Sequence, residues 1–285
     1  MDTTLLIDGK NTAYRALFAA IGNPDYRNSG CHPFAVWLRL THVWLEKFKP
    51  DSVHVFWDCP KNEVWRKKIA PEYKDHRDAM PHYDDNVQLQ LHNLIDAATN
   101  ILPKLGVRQY TRPRQEADDL IYAACRMMAP CNSDRKLMVI SSDSDFLQLQ
   151  WQMPHVLIYG PKTGRVAERP ECDPAMQKAL CGDKSDNIEG FRGIGPVKSK
   201  QLVSDPQKLV EFLRLADEQK FRRNLALIDL SLNPATLSTQ LYILTAMVQE
   251  VEYDRAAATD LGIKYHVRGL IGELPKCSLA FKRLK

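Results

Sequence analysis

The sequence predicts an α/β protein with a central, mostly parallel sheet and flanking helices. Three strand-like apolar runs each end at an aspartate: Thr4-Leu5-Leu6-Ile7 at Asp8, Val53-His54-Val55-Phe56-Trp57 at Asp58, and Leu137-Met138-Val139-Ile140-Ser141-Ser142 at Asp143. Between the first two lies the stretch Pro33–Phe48, where Val36, Leu40, Val43 and Trp44 recur at helical spacing and complete a βαβ unit. Ligands of an open parallel sheet bind outside the carboxyl ends of its strands, which is where these acids would converge.

The remaining elements follow in order. The strand ending at Asp58 comes after Pro50-Asp51, and a second helix carries Leu91, Leu94, Ile95, Ala98, Ile101 and Leu102 on one face before Pro103 and Gly106 stop it. Val107-Arg108-Gln109-Tyr110 reads as a short strand, and residues 116–128 as a helix whose acidic start suits the positive end of the helix dipole. The runs up to Asp143 and Val156-Leu157-Ile158-Tyr159 give two more strands. From Pro174 onward the pattern is almost wholly helical, with no solenoid repeat and no low-complexity tract.

The 285 residues, 44% hydrophobic and 26% charged, suffice for one large domain or two small ones. No apolar run has the length of a membrane span, and Met1 leads into an acid and a strand without a basic leader. Neither a transmembrane helix nor a signal peptide is expected, and a cytoplasmic location is. Cys31, Cys59, Cys125, Cys131, Cys172, Cys181 and Cys277 are odd in number, scattered and without CxxC pairing, which disfavours a disulfide framework or a zinc site. A net charge of +4 is only mildly basic, so the distribution of charge matters more than its total.

Nine acids stand at strand ends or in tight clusters: Asp8, Asp58, Glu116, Asp118, Asp119, Asp143, Asp145, Asp183 and Asp186. Any one alone is also readable as a turn residue or a helix N-cap. Together they read as an oxygen cage for Mg²⁺ or Mn²⁺, since mutually repelling carboxylates need cations. Glu116 and Asp119 fall on one helical face while Asp118 points elsewhere. Asp143 and Asp145 project to one side of an extended chain, and Asp183 and Asp186 share a turn.

A basic, aromatic-laced segment, Trp65-Arg66-Lys67-Lys68-Ile69-Ala70-Pro71-Glu72-Tyr73-Lys74-Asp75-His76-Arg77, follows Asp58. Its cations suit phosphates, and Trp65 or Tyr73 would stack on an unpaired base; the plainer reading is a solvated face. Downstream, Gly193-Ile194-Gly195 with Lys198 and Lys200 has the helix-hairpin-helix pattern, in which a tight glycine turn brings backbone N–H groups to a DNA phosphate. The alternative is an ordinary helix-helix turn.

Asp8-Gly9-Lys10-Asn11, Pro71-Glu72-Tyr73-Lys74, Glu116-Ala117-Asp118-Asp119, Ser142-Asp143-Ser144-Asp145 and Gly182-Asp183-Lys184-Ser185-Asp186-Asn187, followed by the hairpin, occur in the order seen in 5′-nucleases. Over about residues 4–230 the chain resembles the flap endonuclease family, in particular its small bacterial and bacteriophage members and the 5′→3′ exonuclease domain of DNA polymerase I. The resemblance implies a PIN-like nuclease core over residues 1–172 with an arch at about 60–88. It further implies a helical DNA-binding region over 173–285 containing a helix-three-turn-helix element. It implies one metal site from Glu116, Asp118, Asp119, Asp143 and Asp145, and a second served by Asp8, Asp58, Asp183 and Asp186. It also implies a potassium ion on the backbone carbonyls of Leu180, Cys181, Glu189, Phe191 and Ile194. Asp58-Cys59 departs from the small residues usual after the strand acid, and nothing beyond Leu232 carries a family motif.

The expected activity is structure-specific hydrolysis of DNA at 5′ flaps, 5′ ends and single-strand/duplex junctions, with replication proteins as further partners. Two Mg²⁺ about 4 Å apart would activate water and stabilise the leaving oxyanion, assisted by Lys74 and Arg66. Lys67, Tyr73, Arg77, Gly193, Gly195, Lys198 and Lys200 would hold the DNA. The rival readings are a branched-DNA-binding protein that does not cut, and a metal-dependent nuclease for RNA; the hairpin speaks against a small-molecule phosphatase.

Overall fold

The computed structural model describes residues 2–75, 84–128 and 135–284. The chain opens with β1 (Thr3–Asp8), α1 (Gly9–Gly22), α2 (Pro24–Ser29), α3 (Pro33–Phe48) and β2 (Ser52–Phe56). After a segment of short 3₁₀ turns come α4 (Asp85–Ile101), β3 (Arg108–Tyr110), α5 (Ala117–Met128), β4 (Lys136–Ile140), α6 (Leu147–Gln152), β5 (Val156–Gly160) and β6 (Arg165–Val166). These strands form a sheet in the order β3-β2-β1-β4-β5-β6, parallel throughout except for β6.

β1 lies at the centre, with Asp8 beside Phe56 of β2 and Ile7 beside Ile140 of β4. Alternate side chains of a strand face opposite sides, and the cores divide accordingly. Leu5, Ile7, Val53 and Val55 pack beneath α1, α3 and α4, whereas Leu6, Phe56, Leu137 and Val139 pack beneath α5. Each such side chain, removed fully from water, contributes roughly 1.5–3 kcal/mol before entropy is counted. The sheet is thus a rigid platform whose carboxyl edge presents Asp8, Asp58 and Asp143.

Two helices that sequence spacing did not disclose, α1 and α2, precede α3. The inner face of α1 is Thr12, Ala13, Ala16, Leu17 and Ala20, small residues that let the helix lie close to the sheet. Gly9 is required at its start, because a Cβ there would stand 2.4 Å from Trp57 Cε3.

The second half contains α7 (Pro174–Cys181), β7 (Gly182–Asp183), β8 (Ile188–Glu189), α8 (Pro196–Val203), α9 (Pro206–Leu215) and α10 (Glu218–Ile228). The turn expected at Asp183–Asp186 is present, and the antiparallel β7–β8 ribbon flanks it on both sides. Its backbones meet so closely that a Cβ on Gly190 would lie 2.0 Å from the Cys181 carbonyl oxygen. Leu180, Ile188, Ile194, Leu202, Phe221 and Leu227 form a third core that also takes in Val64, Ala70 and Tyr73. The basic segment is therefore folded down onto this helical body as far as Asp75.

Then follow α11 (Thr236–Met247), which packs on α5, and α12 (Arg255–Lys264) and α13 (Leu270–Lys282), which return to the first core. Glu273 of α13 accepts hydrogen bonds from Arg39 of α3, and Phe281 is 1% exposed. Phe281→Ala is accordingly expected to cost about 3–5 kcal/mol in urea unfolding; a loss under about 1 kcal/mol would show that the C-terminal helices add little to this core. No described helix is long and apolar enough to cross a membrane, and all the described cysteines are free thiols.

Candidate active site

Asp8 and Asp143 cap the element that follows their own strand, whereas Asp58 is held by the start of α5. Asp8 caps α1, its Oδ1 accepting the Asn11 N–H at 3.1 Å and its Oδ2 the Ser141 hydroxyl at 2.9 Å. Asp58 Oδ1 accepts the Ala117 N–H at 2.8 Å, and Lys10 Nζ lies 3.5 Å from Oδ2. Asp143 Oδ1 accepts the Asp145 N–H at 2.9 Å, so residues 143–145 are a capped 3₁₀ turn rather than the extended chain expected. Asp8, Asp58, Asp143, Glu116 and Asp118 line one cleft of about 170 Å³ with Lys10, Lys61, Lys67 and Lys74 around it.

Glu116, Asp118 and Asp119 form one group whose ligand oxygens lie within 4.8 Å of one another; Asp145, Asp183 and Asp186 form another. This differs from the division that the resemblance implied, because Asp145 is turned toward Asp183 and Asp186. The cause is Lys178, in the last turn of α7, whose ammonium donates to Asp145 Oδ1 and lies 2.5 Å from Asp183 Oδ2. The latter contact is a charge-assisted ion pair at hydrogen-bond distance, so the buried Asp183 Oδ2 is met by an ammonium. Asp183 Oδ1 accepts from the Ser185 N–H and hydroxyl at 2.7 and 2.6 Å.

Tyr73 and Lys74 join the two groups. The Tyr73 hydroxyl lies 3.3 Å from Glu116 Oε2 and 3.0 Å from Asp186 Oδ2. Lys74 Nζ donates to Glu116 Oε1 at 2.7 Å and stands 3.7 Å from Asp186 Oδ2. Lys74 adopts a left-handed φ of 59°, with its backbone N–H donated to the Asp186 carbonyl at 3.1 Å. Such backbone costs roughly 1–2 kcal/mol for a residue with a Cβ, held here by the surrounding contacts.

Three expectations for the basic segment change. Arg66 is 1% exposed: its guanidinium bonds Glu116 at 2.7 Å, Asp119 at 3.0 Å and the Leu227 carbonyl at 2.8 Å. Its charge therefore acts through Glu116 and Asp119 instead of touching a substrate. Trp65 and Tyr73 are 7% and 2% exposed, and the Trp65 indole N–H donates to Asp119 Oδ2 at 3.0 Å, so neither ring is open to a base. Asp119, also bonded by the Glu116 N–H, is an anchor for this clamp. Lys67 lines the cleft and pairs with Asp75, while Arg77 lies outside the described residues, as does the middle of the segment expected to form an arch.

The electrostatics fit a cation-requiring site. Burial and then the facing Asp58 charge push the Asp8 carboxyl up to about 7; burial and then Asp143 push Asp145 up to about 6. Burial, with Asp119 and Glu116 adding to it, raises Asp118 well above the ordinary range. Burial also opposes charge on Glu116, but Lys74 and Arg66 prevail and hold it at about 2. Lys74 likewise resists burial through Glu116, Tyr73 and Asp186 and remains an ammonium. All-carboxylate donor sets suit hard divalent cations, and the raised acids are those such a cation would ionise.

A pH dependence follows for the metal-free protein. With Asp8 and Asp145 raised above their unfolded values, the native state binds more protons than the unfolded chain between about pH 4 and 7, so their contribution falls as pH rises through that window. Burial holds His54 neutral and works in the opposite sense over the same range, so the carboxyls are read from the Mg²⁺-induced rise in Tm over chelator, which should be larger near pH 8 than near pH 5.5. An equal Mg²⁺ effect at both values would remove these carboxyls from the metal site.

At the other end of the helical body, Gly193 has φ 74°, and Gly195 precedes Pro196 at the start of α8. Lys198 is exposed, and Lys200 pairs with Glu171 at 2.5 Å. The Leu180, Phe191 and Glu189 carbonyls already accept from the Phe191 N–H, the Ile194 N–H and the Asn224 amide. Each keeps a second lone pair, while the Cys181 carbonyl lies beside Gly190 and that of Ile194 follows the turn. Sequence reasoning assigned no role to Lys178, Ser141 or Ser185. Only Lys178 left a signal, a basic residue in the last turn of a helix that runs into an acidic pair.

Comparison with known proteins agrees with this geometry. Residues 3–177 match the family described as 5′-3′ exonuclease, N-terminal resolvase-like domain. A 5′-3′ exonuclease of Mycoplasma pneumoniae is 31% identical over 71% of this chain and 72% of its own length. DNA polymerase I of Caldicellulosiruptor bescii is 29% identical over 76% of this chain; the matched part is 26% of that polymerase, so the chain spans about a quarter of its length. Among solved structures, the T5 5′-exonuclease with bound zinc has a TM-score of 0.67 at 20% identity, covering 93% of this chain and 98% of that one. The bacteriophage T5 D15 flap endonuclease in complex with DNA and metal ions has a TM-score of 0.66 at 20% identity, covering 93% and 99%.

Proposed function

The chain belongs to the 5′-3′ exonuclease family, and on that premise we propose that it is a structure-specific, Mg²⁺-dependent 5′-nuclease acting on flapped, nicked and junction DNA. The observation that carries the reading is the pair of carboxylate groups bridged by Tyr73 and Lys74 at the carboxyl edge of the sheet. A non-catalytic DNA-binding protein would have no use for such buried like charges. Relatives named for 5′-3′ exonuclease and flap endonuclease activity support the choice of substrate.

Glu116, Asp118, Asp143 and Asp8 would hold one divalent ion, and Asp145, Asp183 and Asp186 a second, with Asp58 serving through its contacts at the edge of the cleft. When bound, such ions supply an activated water and charge stabilisation for phosphodiester hydrolysis. The protein's own part is positional. Lys74 presents an ammonium where negative charge develops, and Arg66 and Trp65 fix Glu116 and Asp119 from behind. Lys178 keeps Asp145 and Asp183 together and would shift as their charge is taken up by a metal.

The turn at Gly193 and the start of α8 act as a helix-hairpin-helix grip on duplex, and the segment near 60–88 as an arch admitting a single strand. K⁺ would seat on the carbonyls of Leu180, Cys181, Glu189, Phe191 and Ile194. Replacing Lys198 and Lys200 by Ala should weaken all duplex-containing substrates alike and flatten the log affinity against log salt slope by roughly one to two units. Fluorescence anisotropy across a salt series reads this, and an unchanged slope would remove the grip from this turn. Exchanging K⁺ for Na⁺ at equal ionic strength should also lower duplex affinity.

The direct test of function is incubation with labelled 5′-flap, nicked and single-stranded substrates, as DNA and as RNA, with Mg²⁺ or with chelator. Metal-dependent release of the flap is expected. Tight flap binding without cleavage would favour the non-catalytic reading.

A further inference from the structure

Beside Trp65 and the Arg66 clamp lies a surface pocket of about 550 Å³ that shares no lining residue with the acid cleft. Its apolar lining comes from Ile69, Pro113, Leu232 and Pro234, with Ile69 and Leu232 37% and 48% exposed. Lys68, Arg112 and Arg114 complete it, and no acid contributes to it. Lys68 and Arg114 are exposed and make no ion pair with a described residue. Arg112 bonds the neutral hydroxyls of Thr239 and Ser238, at 2.6 and 3.1 Å, and lies over the Tyr242 ring. Arg114 also keeps a left-handed φ of 67°. A strained basic residue beside unneutralised cations and an open apolar floor is a feature that folding alone does not require.

We propose that this pocket docks an acidic peptide segment of a partner protein, one bulky apolar side chain entering the pocket while flanking carboxylates meet Lys68, Arg112 and Arg114. The charge complementarity selects an anion, and the floor selects its kind. Nucleic acid would call for exposed aromatic faces or a longer track of cations, whereas the one aromatic residue in the lining, Trp65, is buried with its N–H committed to Asp119, and the nearby Tyr242 ring is taken by Arg112. Aliphatic and proline surface in a concave site instead suits a leucine or phenylalanine side chain, with bidentate guanidinium–carboxylate contacts around it.

The test uses the full chain and a fluorescein-labelled peptide, Asp-Glu-Asp-Glu-Leu-Phe, with Asn-Gln-Asn-Gln-Leu-Phe and Asp-Glu-Asp-Glu-Ala-Ala as controls. Saturable anisotropy is expected only for the first peptide, weakening as salt rises. Arg114→Asn tolerates the left-handed backbone, and Leu232→Gln is a surface change; each should reduce affinity about tenfold or more, with flap cleavage and Tm unchanged. Binding no better than that of either control, or undiminished in both variants, would overturn the proposal. So would displacement of the peptide by duplex DNA together with an equal loss of duplex affinity in Arg114→Asn, which would make the face part of the nucleic-acid surface.

Discussion

Asp183→Asn is expected to abolish cleavage of a 5′-flap substrate in Mg²⁺, by a factor of about 10³ or more, while flap binding stays nearly intact. The substitution preserves size, and an amide oxygen can still accept from the Ser185 N–H and hydroxyl, so the β7–β8 turn keeps its local bonds. What is lost is the negative charge facing Lys178 and the second carboxylate group. Binding should survive because duplex and flap are gripped by cations elsewhere. Asp143→Asn should behave alike, its amide oxygen still capping the Asp145 N–H. Single-turnover cleavage and anisotropy on the same flap measure both quantities, and near-wild-type cleavage by either variant would show that its carboxylate is not a ligand.

The second large effect belongs to Lys74. Lys74→Ala should depress single-turnover cleavage at saturating DNA by about a hundredfold or more, as does loss of a direct transition-state contact. The same change leaves Glu116 and Asp186 facing each other without their shared cation and places Ala at a left-handed backbone position, so some stability is lost as well. Measuring at saturating DNA, below the variant's own melting range, separates the chemical defect from that loss. Lys67, paired with Asp75 at the rim, should mainly affect binding when changed to Ala. Equal, binding-only effects from the two variants would take the catalytic role from Lys74.

The acids at the strand ends could be read from the sequence because their signal is local: an apolar run of strand length, then a carboxylate. The central parallel sheet with flanking helices was readable for the same reason. α1 was not, since its buried face is alanine and threonine, with little contrast to its outer face. The basic segment misled in a different way. A dense run of cations reads as a solvated face, yet Val64, Ala70 and Tyr73 are spaced to bury against α7 and α10, and that packing carries Arg66 and Trp65 inward. Nothing local marks Arg66 as the partner of Asp119, more than fifty residues downstream. The assignment of Asp145 to Asp183 and Asp186 depends likewise on Lys178, which reaches it only when α7 docks beside α6.

Each of the two carboxylate groups is expected to take up a divalent ion. Anomalous scattering from crystals soaked in Mn²⁺ tests it most directly. Two peaks are expected, one against Glu116 and Asp118 and one against Asp145, Asp183 and Asp186, with the Lys178 ammonium displaced from Asp183. No bound Mn²⁺ at either group, with Lys178 still seated between Asp145 and Asp183 at saturating metal, would contradict it.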